Sequence, residues 1–209
     1  MSIELQIPIP EDDIRSLIIG DTVLLSGIIV TARDIAHKWL SDHFIQRLQT
    51  PTPQDQAIVS DLKTILNQGV IFHCGPVVSG LDTRQYQMVA AGPTTSMREE
   101  TYQADVIRLF NLKGVIGKGG MGQKTLDALH DTPAVYFHAI GGAAAVIAQT
   151  VTEVLRVHQL EFGVPEAMWV IRVDRLPVVV TMDSHRGSLH DQVRAQSRKT
   201  LDRLLKENH

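Results

Sequence analysis

Four short segments of this 209-residue chain follow candidate strands with glycine or small polar residues, and the first three carry a cation. Backbone amides presented beside a positive charge suit an anion, so the chemistry to look for is the capture of a small anionic group. In Thr31-Ala32-Arg33-Asp34-Ile35-Ala36-His37, Arg33 stands where a strand should end and a helix begin. Its planar guanidinium can grip a carboxylate with two hydrogen bonds. The plainer alternative is a local Arg33–Asp34 ion pair, with His37 covering the helix surface. In Gly92-Pro93-Thr94-Thr95-Ser96-Met97-Arg98, Gly-Pro forces a turn and hydroxyls precede a predicted helix. One hydroxyl serves as the N-cap. A cation in the first turn opposes the helix dipole, so Arg98 is locally unfavourable unless an anion is near. In Gly117-Lys118-Gly119-Gly120-Met121-Gly122, glycines allow close backbone approach around one lysine. The spacing is not that of a GxxxxGK[ST] phosphate loop, which leaves a lysine anchoring a small anion or a glycine-rich turn with an exposed lysine. Gly141-Gly142-Ala143-Ala144-Ala145 either opens a helix toward an anion or permits close packing.

Other reactive residues form no comparable pattern. His73-Cys74 and Asp183-Ser184-His185 lack metal-ligand spacing, and there is no G-x-S-x-G elbow for a hydrolase. His73, His138 and His185 are therefore expected to be structural, and Glu166 and Trp169 to shape a turn and an interface.

The elements that must position these segments interleave along the chain. Residues 22–31 are β-branched and read as a strand, as do 70–78, 85–91, 114–116, 134–139, 168–173 and 176–182. Helices are expected over 35–48, 54–66, 97–110, 123–129, 142–151 and 189–206. The alternation implies an α/β fold with a mixed sheet in one domain over residues 1–209, with 41–67 as a local insertion.

Composition narrows the class. Apolar residues make up 44% and charged residues 21%, as in an ordinary globular protein. A formal charge of −3 argues against general nucleic-acid binding. The basic stretch 194–206 reads as a solvated helix face. No signal peptide or bilayer-length apolar run is visible, so a cytoplasmic protein without membrane association is expected. A single cysteine, Cys74, excludes an internal disulfide and a self-contained cysteine-ligated cluster or zinc site.

Taken in order, TARDIAHK at 31–38, FHCGPVV at 72–78, GPTTSMR at 92–98, GKGGMG at 117–122, FGVPEAMW at 162–169 and MDSH at 182–185 span nearly the whole chain. This set resembles the β-type subunit or C-terminal domain of class I fumarases and L(+)-tartrate dehydratases, although Arg186 stands where many members have glycine. The resemblance implies a swivelling β/β/α domain that docks on an α-subunit holding a [4Fe–4S] cluster, in an αβ hetero-oligomer. It implies a hydro-lyase acting on a small dicarboxylate, with fumarate and L-malate preferred to tartrate and oxaloacetate. By residue-wise match, Arg33, Arg98 and Lys118 are expected to bind substrate carboxylates and Thr94 to be the candidate catalytic base. Thr95, Gly119 and Gly120 are expected to line the site, and no metal ligand is expected on this chain. A non-catalytic anion-binding or assembly module of the same fold is the competing reading.

Overall fold

The apolar run from Thr22 to Thr31 forms β2, the strand on which the rest of the sheet is organised. The computed structural model describes residues 2–207; residues 1, 208 and 209 of the expected domain lie outside that range. Before β2 come β1 (Ile3–Gln6) and α1 (Glu11–Ser16). After it run α2 (Asp34–Leu40), a π-helical turn (Ser41–Ile45), α3 (Pro53–Leu66) and β3 (Val70–Phe72). A small hairpin, β4 (Val77–Ser79) and β5 (Gln87–Ala90), leads to a 3-10 turn (Ser96–Glu99) and α4 (Glu100–Phe110). Next are β6 (Gly114–Gly117), α5 (Gln123–Asp131), β7 (Val135–His138) and α6 (Ala144–Ala148). The chain ends with β8 (Val151–His158), β9 (Met168–Met182) and α7 (Leu189–Glu207).

Seven strands share one sheet in the order β1-β2-β3-β6-β7-β9-β8, and β9 pairs back onto β2. β1, β2, β3, β6 and β7 run parallel, and β9 is antiparallel to β2, β7 and β8. The β2–β9 pairing closes a ring through β2, β3, β6, β7 and β9. Side chains alternate across it. Val23, Leu25, Ile29, Val70, Phe72, Ile116, Phe137, Ile171 and Val180 form one core within the ring. Val30, Ile71, Val115, Tyr136 and Val170 form a second core against α2, α3, α4 and α5. Strand layer, strand layer and helix layer give the β/β/α arrangement, with a mixed sheet as expected. Because these strands are covered on both faces, they read as nearly continuous apolar runs.

Several expected boundaries shift, each for a visible reason. The helix expected over 35–48 stops at Leu40, continues as the π turn, and ends before Arg47, whose φ of 55° is left-handed. α3 starts at Pro53 because Thr52 caps it: Thr52 Oγ1 accepts from Asp55 N, while the Asp55 carboxylate accepts from Thr52 N. Residues 41–67, expected as an insertion, make the crossover from β2 to β3, and α3 buries Ile58, Val59, Leu62 and Leu66. The two strands expected over 168–173 and 176–182 are one strand, β9, with Arg175 at a φ of 52° between its two paired stretches. The helix expected over 142–151 is limited to α6, and residues 151–158 form β8 along the edge of β9. α7 leaves the body, and its residues 191–206 are exposed, consistent with a solvated basic face. No helix among the described residues is long and apolar enough to cross a membrane.

Candidate active site

Since β2, β3, β6 and β7 are parallel, their C-terminal ends share one edge of the sheet, where open α/β sheets characteristically bind ligands. The cation-bearing loops meet there. Arg33 follows β2, Lys118 follows β6, and Gly141 follows β7. The Gly92–Arg98 segment is wedged between the ends of β3 and β6. Cys74 bridges Pro93, Thr94 N donates to His73 O at 2.7 Å, Lys118 N donates to Thr94 O at 3.1 Å, and Ser96 N donates to Lys118 O at 3.1 Å. This backbone ladder fixes Thr94, Thr95 and Lys118 as neighbours. The glycines beside Lys118 permit the geometry: Gly119 and Gly120 have φ of 83° and 75°, and a Cβ on Gly120 would run into the His190 ring. Gly141 packs beside the Lys118 stem, where an added Cβ would lie 3.7 Å from its Cδ.

Arg33 lies over Gly75, so closely that any Cβ there would collide with Nη1. Its partner is Glu166, with Nη1 3.3 Å from Oε1, and Glu166 Oε2 also accepts from Ile35 N at 3.2 Å. The anticipated local pair with Asp34 does not form. Asp34 instead takes Arg98, whose position on the 3-10 turn explains how a cation is tolerated at that helix start. Glu166, read from sequence as a turn residue, thus both caps the start of α2 and aims a cation. The N-terminus of α5 is already occupied: Gly122 N, Thr125 N and Thr125 Oγ1 donate to the Glu100 carboxylate at 2.8, 3.3 and 2.7 Å. An anion at this loop must therefore use the Lys118 ammonium, which has no hydrogen-bond or ion-pair partner among the described residues. The Thr94 hydroxyl and Arg33 Nε are screened from solvent and also lack partners.

Beneath this layer lies a buried polar network. His73 Nδ1 meets Ser96 Oγ at 2.8 Å, and Tyr136 donates to the same Oγ at 2.8 Å. The Gln103 carboxamide oxygen lies 2.7 Å from His73 Nε2 and 2.9 Å from His37 Nε2, while His37 Nδ1 is 3.0 Å from Arg33 O. Burial lowers His37 and drives His73 down to about 3, so both rings are neutral near pH 7. A neutral His37 that donates to Arg33 O must accept at Nε2, which needs the Gln103 amide turned so that its NH2 serves both rings. His37 was expected on the helix surface; it is fully buried, and its ring ties the Arg33 backbone to the base of the site. Glu99, also fully buried, is pushed up to about 8 by burial first and by neighbouring Asp34 second.

Asp183 and His185 have structural roles. His185 Nε2 bonds Arg15 O at 2.8 Å, and the Asp183 carboxylate accepts from Ile19 N, His185 N and Gly187 N, so these residues do not form a hydrolase triad. Among the described residues no group of three or more His, Cys, Asp or Glu could hold a metal ion. Cys74 is wholly buried, and desolvation pushes its thiol up to about 12 despite the nearby Arg33 charge. One cysteine cannot supply the several thiolates that a [4Fe–4S] cluster needs, so this chain's residues do not fit an iron–sulfur cluster of its own.

Residues 1–193 match the family described as Fumarase C-terminus. The chain belongs to this family. Within the fumarase C-terminus family, it is 46% identical over 202 residues to a putative class I fumarate hydratase of Geobacillus stearothermophilus, covering 97% of this chain and 36% of that protein. The chain therefore spans about a third of that relative. It is 36% identical over 183 residues to the L(+)-tartrate dehydratase subunit beta of Escherichia coli K12, covering 87% of this chain and 83% of that one. A putative L(+)-tartrate dehydratase subunit beta of Methanocaldococcus jannaschii is 34% identical over 195 residues, covering 92% and 93%. The fumarase C-terminus resemblance carried by the TARD, GPTTSMR and GKGGMG segments is thus met by the whole-chain comparison.

Proposed function

We propose that this chain is the β-type half of a hydro-lyase active site that completes itself on an α-subunit and acts on a small dicarboxylate. The observation that carries the reading is that the loops bearing Arg33, Thr94, Arg98 and Lys118 end at one edge of the sheet, with Lys118 N bonded to Thr94 O, while the Lys118 ammonium and the Thr94 hydroxyl have no partner among the described residues. Buried polar groups are normally satisfied, so an unpartnered hydroxyl and an unpaired ammonium on two hydrogen-bonded segments mark a place for a ligand. Arg33, held by Glu166, and Arg98, held by Asp34, would grip substrate carboxylates. Lys118 would supply a point charge, and Thr95, Gly119 and Gly120 would line the cradle. A [4Fe–4S] cluster on the α-subunit would supply Lewis-acid chemistry, since this chain's residues do not suit it.

Dehydration of L-malate removes a carbon-bound proton and the neighbouring hydroxyl. Thr94 is the candidate for taking the proton. To do so, its hydroxyl must rotate about Cα–Cβ from its screened position toward the open edge. A free hydroxyl is a poor base at neutral pH, and the surrounding cations are what would favour its ionised form. Fumarate and L-malate are the preferred pair, in line with the 46% identical relative. L(+)-tartrate and oxaloacetate are the second reading, favoured by the relatives named tartrate dehydratase subunit beta, which this chain matches over most of their length.

The test is anaerobic co-expression with an α-type partner, followed by fumarate hydration and tartrate dehydration assays run in parallel. Activity of the complex on one pair, with neither chain active alone, is the expected result. A partner chain fully active by itself, or a stable complex inactive on both pairs, would favour the binding-module alternative and sink the assignment.

A further inference from the structure

The Arg98 guanidinium is held by one carboxyl group, and a second carboxyl lies next to that pair. Its Nη2 pairs with Asp34, and the next residue, Glu99, places a wholly buried carboxyl beside that pair. Among the described residues neither Glu99 oxygen meets a side-chain donor, and its carboxyl lies within hydrogen-bonding reach of the Asp34 carboxylate. Two ionised carboxylates in contact repel, whereas one shared proton turns the contact into a hydrogen bond.

Its own backbone amide and the Arg98 charge favour ionised Glu99, but burial and Asp34 outweigh both. His73 Nδ1 lies 3.9 Å from Oε2 but is engaged by Ser96, and its ring is neutral. His37 on α2 is turned to Gln103 and is also neutral near pH 7. Tyr136 on β7 is committed to Ser96, and burial keeps its phenol protonated. Glu100 points away to cap α5. Arg98 itself is engaged by Asp34.

We propose that Asp34 and Glu99 form a carboxyl pair sharing one proton, and that this pair positions Arg98 and sets the charge of the anion cradle. Glu99 donates to Asp34 and fixes it, and Asp34 in turn fixes the guanidinium. With the proton in place, Arg33, Arg98 and Lys118 face Glu166 and Asp34, leaving an excess of one positive charge for an incoming dianion. Ionising Glu99 would cancel that excess. Burial, reinforced by Asp34, pushes Glu99 up to about 8, so the cradle is charged at neutral pH and loses its charge in mild alkali. The role in substrate binding rests on the proposed function; the shared proton does not.

Infrared difference spectroscopy of the full chain reads the proton without any assay of activity. The expected result is a protonated-carboxyl C=O band at neutral pH that vanishes as pH rises through about 8 and is absent from Glu99→Gln. Asp34→Asn removes the like charge, so the band should vanish at a pH about one unit lower or more. A missing wild-type band, a band that survives in Glu99→Gln, or an unchanged midpoint in Asp34→Asn would overturn the pair. In the active complex, wild-type KM for the dicarboxylate should climb up to about tenfold per pH unit above the midpoint, and Glu99→Gln should remove that rise. A KM rise that persists in Glu99→Gln would overturn the charge-setting role. If the complex has no hydro-lyase activity, the proposed function fails while the infrared result still stands.

Discussion

His73 offers a quantitative test of the buried network that carries the site. The folded chain holds its ring neutral down to about pH 3, against an ordinary value of 6.5, because the ring is wholly buried. The unfolded chain takes up a proton below the ordinary value. Between these limits the unfolded state binds more protons, so the His73 contribution is complete above the ordinary value and is lost as pH falls. One proton difference costs about 1.4 kcal/mol per pH unit, so descending to about pH 5 removes about 2 kcal/mol. Glu99 acts in the opposite sense, since its carboxyl takes up a proton in the folded state from about 8 downward. Wild-type stability alone therefore mixes the two effects, and the measurement must be a difference. His73→Asn keeps a group able to meet Ser96 but cannot titrate. Urea unfolding of both proteins should show the wild-type advantage shrinking by about 2 kcal/mol from about pH 8 to about pH 5. A difference that stays constant over that range would refute the neutral buried ring and the hydrogen-bond network drawn from it.

Other perturbations probe separate parts of the account. Gly75→Ala should leave urea stability close to wild type, because the side chain in its way is the flexible end of Arg33. It should nevertheless raise KM for the dicarboxylate in the complex by about tenfold or more, the loss of one charge-assisted contact. Thr31→Val removes the hydroxyl that accepts from Trp169 N at 3.0 Å inside the core. It should cost about 1–3 kcal/mol in urea melts by leaving that amide unpaired.

The parts of the candidate site that can be read from the sequence share a local cause. Arg33, Thr94, Arg98 and Lys118 each sit where an extended run meets glycine, a hydroxyl or a helix start, and the parallel strands bring those ends to one edge. What supports them was not legible, because it depends on pairing across long stretches of chain. Glu166 reaches Arg33 only after β9 folds back on β2, and nothing near residue 166 signals that partnership. His37 looks like a surface residue in sequence, but it is turned inward to share Gln103 with the buried His73. The missed strand β8 was hidden because bulges in its pairing with β9 leave Val151, Val154 and Val157 at a three-residue, helix-like spacing, and the small residues after Gly142 suggested a longer helix than the chain makes. Ring closure follows from one β2–β9 pairing between strands far apart in sequence.

The central claim is that this chain supplies both the anion cradle and the proton-transfer group of a shared active site. Steady-state kinetics of the αβ complex with Lys118→Met and Thr94→Val tests it most directly. Lys118→Met should raise KM by about tenfold or more while the complex stays assembled. Thr94→Val should lower kcat by about a hundredfold or more without loss of stability, since it removes a buried hydroxyl that has no partner among the described residues. Wild-type kcat and KM in either folded, assembled variant would contradict the account.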